Sequence, residues 1–374
     1  MKQTIMIALP CLKTGGTEIQ TLRLVEALTA EGYRCVAICY FEYDYRIVQL
    51  YESQGCEVVR LSAYGTRPQG TKAVYRFLKE GLRRAVKDYR PAVVHVQYVA
   101  PGALPIIILR RPGVKNLIAT IHTDAHEYKS LRLVRMMQRR FARVFTCVSE
   151  SAEKEFFGCS KLYSDALEIG RHEHLTLPNC LPQEKIEYTR QNSRHKVIGF
   201  ISRLEAVKGA ENIVPFFARL LTTNPDTKLL VVGDGSLRGE MQRQAKTYNI
   251  DAKKIEWRDM VQPQNIGKVY DECDVVWMPS KGEGFGLTAV ESMAHGCVVV
   301  ATAVGGLKDV IHNGDDGVLI DSDEIGRMPE VTSELLNDDE KMGKMSVAAA
   351  QRANEFRFDI YRKRVAGLYG KILA

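Results

Sequence analysis

A chain of 374 residues with 45% hydrophobic and 26% charged side chains can bury a core in each of two ordinary domains, which excludes a disordered protein. No eighteen-residue apolar run occurs, and the longest stretches, such as IIIL at 106–109, are far too short for a membrane-spanning helix. Nine cysteines without a C-x-x-C pair argue for reduced thiols in a cytoplasmic protein, against a disulfide framework or a zinc site.

The opening MKQTIMIALP reads as a first strand entering a turn, not as a secretion signal. A strand is predicted at 4–9, followed by Ile19, Leu22, Val25 and Leu28 at helical spacing. The next strand, 35–40, holds Cys35 and Cys39 around Val36, Ala37 and Ile38, which suits a buried strand better than a metal site. Further strands are predicted at 57–61, 93–96, 117–121 and 144–148. Around Leu177-Pro178-Asn179 the alternation breaks, and the polar stretch 183–196 reads as a linker. Strands resume at 197–201, 228–232, 255–257, 275–278, 298–301 and 318–320, with a helix near 211–221. Strands alternating with helical patterns predict βαβ units, hence two parallel-sheet α/β halves with a ligand in the cleft between them.

The net charge of +7 is unevenly spread. Residues 1–190 carry 28 Lys+Arg against 19 Asp+Glu, residues 191–374 carry 24 against 26, and segment 60–143 alone carries 18 against 4. Lys72, Arg76, Lys79, Arg83 and Lys87 recur at helical spacing and would form one stripe. Arg132, Arg135, Arg139 and Arg143 do the same beside Leu131, Val134, Met137 and Phe141. The stripes are either solvated faces or a surface for an anionic membrane. No nucleic-acid-binding motif accompanies them, so nucleic acid is not an expected partner.

Four stretches carry chemistry. Ser280 to Glu291 (SKGEGFGLTAVE) follows a strand with a glycine-rich turn and opens a helix near Leu287. Its backbone N–H groups suit a phosphate, and Glu283 and Glu291 suit sugar hydroxyls. The plainer alternative is an ordinary strand–helix turn with a Thr288-x-x-Glu291 capping box. In Gly199 to Gly209 (GFISRLEAVKG), Arg203 and Lys208 could clamp a diphosphate or simply be solvated. Gly15-Gly16 lies between the first strand and helix and permits close backbone approach. It forms neither G-x-G-x-x-G nor a P-loop, which excludes a dinucleotide oxidoreductase and a P-loop kinase. His122, in Thr120-Ile121-His122-Thr123-Asp124, leaves a strand end where it could bond a hydroxyl or move a proton. Asp124 and His126 share its loop, but three mixed ligands without a fourth do not predict a metal site.

Taken in order, GGTE at 15–18, TIH at 120–122, LPN at 177–179, SRLEAVKG at 202–209, VVGDG at 231–235 and SKGEGFGLTAVESMAHGCVVVATAVGG at 280–306 resemble glycosyltransferase family 4 over nearly the whole chain. The FRF-plus-tyrosine tail at 356–369 continues the likeness. The resemblance implies the GT-B fold of retaining glycosyltransferases, two Rossmann-like parallel-sheet domains facing each other across a cleft. It implies an acceptor-side domain at 1–180, a donor-binding domain at 181–355, and a C-terminal helix at 356–374 returning to the first. It also implies that Arg203 and Lys208 hold the donor diphosphate, with Gly15 and Gly16 approaching it and the N–H groups of Leu287 and Thr288 capping it. Glu291 would bind the ribose, and Met260 and Val261 the base. Glu283, with the backbone of Gly284, Phe285 and Gly286, would hold the donor sugar, and His122 would touch it near the reacting carbon. Cys180, Ser202 and Arg258 stand where relatives usually have glycine.

The implied reaction moves a hexose-type sugar from a nucleotide diphosphate sugar, a UDP- or GDP-sugar, to a hydroxyl of a glycan or lipid-linked acceptor, with retention of configuration. His122, Glu283, Arg203 and Lys208 are the expected catalytic group. Arg203, Lys208 and the helix N-terminus would stabilise the leaving diphosphate, so no cofactor and no metal are expected. A two-carboxylate hydrolase fits less well, because Glu291 sits one turn inside a helix. A non-catalytic sugar-nucleotide-binding protein of the same fold is the alternative. Surface-polysaccharide or lipid-linked oligosaccharide synthesis at the inner face of the cell membrane is the expected setting.

Overall fold

The computed structural model describes residues 3–98, 103–110, 113–125, 128, 130–182 and 196–374. The chain divides into two compact units, Met1–Gln183 with Phe358–Ala374, and Glu184–Arg357. Most of the expected linker and His126 lie outside the described residues.

The first unit holds a seven-stranded parallel sheet: β1 (Thr4–Leu9), β2 (Arg34–Cys39), β3 (Glu57–Arg60), β4 (Val93–Gln97), β5 (Leu117–Ile121), β6 (Val144–Cys147) and β7 (Glu173–Thr176), in the order β3-β2-β1-β4-β5-β6-β7. β4, β5 and β6 are buried throughout, as strands covered on both faces must be, and so read as continuous apolar runs. β7 escapes that signal because its sequence is EHLT. Its His174 and Thr176 are satisfied by the buried Glu153, which pairs with His174 Nδ1 at 2.6 Å and accepts from Thr176 Oγ1 at 2.5 Å, while Glu173 pairs with Lys161 at 2.9 Å.

One face of this sheet packs against helices Gly16–Ala30 and Tyr45–Ser53 and the C-terminal helix Phe358–Leu373, through Ile7, Leu28, Val365 and Leu368 among others. Helices Thr71–Tyr89, Leu104–Leu109, Leu131–Arg140 and Glu150–Phe157 cover the other. The apolar run at 106–109 is therefore helical, with Pro105 in the first turn, where its missing N–H costs nothing.

The second unit repeats the plan with six parallel strands: β8 (Val197–Ile201), β9 (Lys228–Val232), β10 (Ile255–Arg258), β11 (Val275–Met278), β12 (Val298–Thr302) and β13 (Gly317–Ile320), ordered β10-β9-β8-β11-β12-β13. Trp277 is fully buried on β11, with its indole N–H donated to Thr332 Oγ1 at 2.8 Å. In both units the strand order reverses beside the first strand, between β1 and β4 and between β8 and β11. Doubly wound sheets bind ligands outside the strand ends at that point.

Candidate active site

In the second unit, the loops leaving β8 and β11 flank the reversal and are locked together. Lys281 N–H donates to the Val207 carbonyl at 2.9 Å, and the Lys281 ammonium pairs with Glu211 at 2.6 Å. Gly209, at φ +70°, passes so close that a Cβ would lie 2.0 Å from the Pro279 carbonyl oxygen. Only glycine permits both the left-handed backbone and the approach.

That contact carries Lys208 across to Glu283, where Nζ donates to Oε2 at 2.5 Å with both side chains mostly buried. The Ser280 hydroxyl reaches the same oxygen at 3.5 Å. An ammonium has three donors, so bonding Glu283 leaves Lys208 with capacity for an anion. Arg203 lies on the same loop and is exposed. Glu205 is held below the usual carboxylate range by the Ser236 hydroxyl and N–H, at 2.6 and 2.9 Å, with the neighbouring Arg203 adding to the effect.

After Glu283 the turn is fixed from both sides. Gly306 N–H donates to the Glu283 carbonyl at 2.8 Å, and a Cβ at Gly306 would come within 2.5 Å of Phe285 Cα. The buried Phe285 meets Phe356 edge-on, 5.5 Å between ring centres. The helix Leu287–Ala294 is capped by Gly286 at φ +98°, with no side-chain cap. The Thr288-x-x-Glu291 capping box does not form, because both residues lie inside the helix. Glu291 instead accepts a hydrogen bond from Tyr270 at 2.8 Å. Tyr270 thus joins the site; its own signal in the sequence is no stronger than that of any core tyrosine.

Met260 is 47% exposed and Val261 partly so, on the loop after β10. Arg258, at the end of β10, is held by Glu272 at 2.7 and 2.6 Å and by Glu256 at 2.7 Å. It is a structural cation. An Asp-x-Asp triplet, Asp321-Ser322-Asp323, follows the edge strand β13 with all three residues exposed.

In the first unit, parallel register sets Gln97 opposite Thr120 and Thr120 opposite Thr146, so one sheet face gathers polar side chains at its C-terminal end. His122, just past β5, donates from Nε2 to Gln97 Oε1 at 2.6 Å, and its ring leans on Tyr98 at 5.8 Å. The fully buried His95 bonds Tyr369 of the C-terminal helix at 2.7 Å and Thr120 at 2.6 Å, and Thr120 continues to Thr146 at 2.6 Å. Desolvation pushes both imidazoles down to about 3, for His95 with the neighbouring His122 adding to it, so both are neutral at physiological pH. Gln97, His95 and Thr146 escape sequence reading because they sit within buried strands.

Gly15 and Gly16 join β1 to its helix. Glu18 is buried beneath them, where a Cβ on Gly15 would lie 2.5 Å from its carboxylate oxygen, and Cys11 Sγ donates to it at 3.1 Å. Cys180 is buried and held at both backbone atoms by Gln20, at 2.6 and 3.1 Å.

The basic stripes are only partly as expected. On Thr71–Tyr89, Lys72, Arg76, Arg83 and Lys87 are exposed, while Lys79 is half-buried with its ammonium over the Tyr75 ring. The second helix ends at Arg140, so Arg143 lies beyond it and donates to Asn116 at 2.7 Å. Arg135 donates to the Phe156 carbonyl at 2.6 Å. That helix presents Arg132, Arg139 and Arg140 to solvent beside Leu133, which is 42% exposed.

Two family models match the chain: "Glycosyl transferases group 1" over residues 183–352 and "Glycosyl transferase 4-like domain" over 15–155. Together they span most of it, and the chain belongs to the family 4 glycosyltransferases of GT-B fold. A D-inositol 3-phosphate glycosyltransferase of Corynebacterium aurimucosum is 31% identical over 185 residues, 48% of this chain and 44% of that protein. The chain thus matches less than half the length of this curated relative. Among solved structures, Anabaena Alr3699/HepE in complex with UDP and glucose aligns over 98% of this chain and 99% of its own, at 18% identity and TM-score 0.76. Sucrose-phosphate synthase from Thermosynechococcus elongatus aligns over 99% of this chain and 98% of its own, at 19% identity and TM-score 0.78.

Proposed function

We propose that the protein transfers a hexose-type sugar from a nucleotide diphosphate sugar to a hydroxyl acceptor with retention of configuration. The observation that carries this reading is the Lys208–Glu283 pair, set between the two switch-point loops and next to a helix N-terminus with no side-chain cap. The transition state resembles an oxocarbenium ion parting from a diphosphate, so the main task is stabilising charge on the leaving group. Lys208, Arg203 and the N–H groups of Leu287 and Thr288 supply positive potential to the diphosphate. Glu283 holds donor-sugar hydroxyls, Glu291 the ribose, and Met260 and Val261 the base. His122 is neutral, so it serves as a hydrogen-bonding partner for a sugar hydroxyl. The similarity to the Anabaena protein in complex with UDP and glucose supports a nucleotide-sugar donor.

We further propose that the enzyme works without a metal, in the cytoplasm, on a glycan or lipid-linked acceptor of surface-polysaccharide or oligosaccharide synthesis. It would dock on an anionic membrane face through its basic helices; no helix among the described residues is long and apolar enough to cross a membrane. Incubation with a panel of UDP-, GDP- and ADP-sugars, with nucleotide release as readout, tests the activity. Release from one base class supports the reading, whereas tight donor binding with no release under any acceptor would favour a non-catalytic sugar-nucleotide-binding protein.

A further inference from the structure

Glu291 is a half-buried carboxylate on the helix Leu287–Ala294, and a neighbouring element holds it. Tyr270, the penultimate residue of the short helix Ile266–Asp271, is fully buried and donates its hydroxyl to Glu291 Oε2 at 2.8 Å. Glu291 lies on Leu287–Ala294, so the tyrosine hydroxyl ties Ile266–Asp271 to the helix that follows the glycine-rich turn.

The ring is fixed in turn. It lies 5.7 Å from that of His295, whose Nδ1 bonds Asp271 at 2.7 Å. The Tyr270 carbonyl accepts from Cys297 Sγ at 3.2 Å, and a Cβ on Gly267 would meet His295 Cε1 at 2.9 Å. Burial, with Glu291 adding to it, pushes the Tyr270 hydroxyl well above its usual range, so it remains a donor.

We infer that Tyr270 is a positioning residue: by occupying Glu291 Oε2 it fixes the carboxylate rotamer and turns the other oxygen toward the ribose diol of the donor. This rests on the assignment of Glu291 to the ribose. A carboxylate free to rotate would lose part of its hydrogen-bonding contribution to ordering itself. A held one discriminates against a nucleotide lacking the hydroxyl, because the well-placed hydrogen bond to the ribose is then lost.

The test is calorimetric and needs no acceptor. The dissociation constants of UDP and 2′-deoxy-UDP, or of GDP and 2′-deoxy-GDP if guanosine is the base bound, are measured for the wild type, Tyr270→Phe and Glu291→Gln. Phenylalanine keeps the ring and its packing, and melting temperature checks the fold. The wild type is expected to prefer the ribonucleotide by about tenfold or more, falling to about threefold or less in both variants. Tyr270→Phe retaining the wild-type preference while Glu291→Gln loses it would overturn the role of Tyr270 alone. Glu291→Gln retaining the preference would overturn the ribose assignment itself, and the inference with it. A drop in melting temperature without a change in preference would make Tyr270 merely structural.

Discussion

Lys208 and Glu283 illustrate how a site depends on atoms far apart in sequence. Each holds the other, so removing either takes away a proposed donor contact and leaves its partner without a counter-charge in a mostly buried place. Lys208→Ala and Glu283→Ala are each expected to lower turnover about a hundredfold, roughly 3 kcal/mol of transition-state stabilisation. The double variant should lose little more than the worse single one, because the residues act as a unit. Near-normal turnover in either single variant would remove the pair from the mechanism. If these cations neutralise the leaving diphosphate, a chelator should leave activity unchanged. Loss on chelation with rescue by manganese would show that a divalent ion carries that charge instead.

Among the helices, the second basic one shows what periodicity conveys and what it conceals. Spacing correctly places Val134 and Met137 in the core of Leu131–Arg140. It cannot distinguish an arginine facing solvent from one recruited by a neighbour. Arg135 answers the Phe156 carbonyl and Arg143 answers Asn116, so the outward cations are Arg132, Arg139 and Arg140. Arg132→Glu, Arg139→Glu and Arg140→Glu together are expected to abolish co-sedimentation with anionic vesicles at low salt while leaving nucleotide release intact. Each cation near such a surface contributes about 1 kcal/mol, screened as salt rises. Equal binding to neutral and anionic vesicles would leave the face as ordinary solvated surface.

At the level of the whole molecule, the buried His95 couples folding to pH. Folded, it stays neutral down to about pH 3; unfolded, an ordinary histidine takes a proton near 6.5. Between those values the unfolded chain binds more protons. Stability is therefore full above about pH 6.5 and falls as pH drops toward 3, by at most about 1.4 kcal/mol per pH unit for this one group. Urea unfolding at pH 7, 6 and 5 should show that decline, shallower in His95→Gln. An unchanged slope in that variant would place the acid sensitivity elsewhere.

Most strand positions, the parallel character of both sheets, and the stretches 202–209 and 280–291 were legible in the chain because they rest on local patterns, whereas the strand order was not. Buried parallel strands need unbroken apolar runs, and tight βα turns need glycine where the backbone turns left-handed or approaches another closely. Tyr270 behind Glu291, Gln97 behind His122, Glu153 beneath the polar strand β7 and the inward turn of Arg135 left no such trace. Each depends on a hydrogen bond between residues 21 to 25 positions apart, and a side chain's partner at that range is chosen by packing, not by its neighbours in sequence. A short polar strand such as EHLT lacks the apolar run that marks its neighbours, yet folding satisfies its His174 and Thr176 with one buried carboxylate, and pairing with β6 makes it a strand.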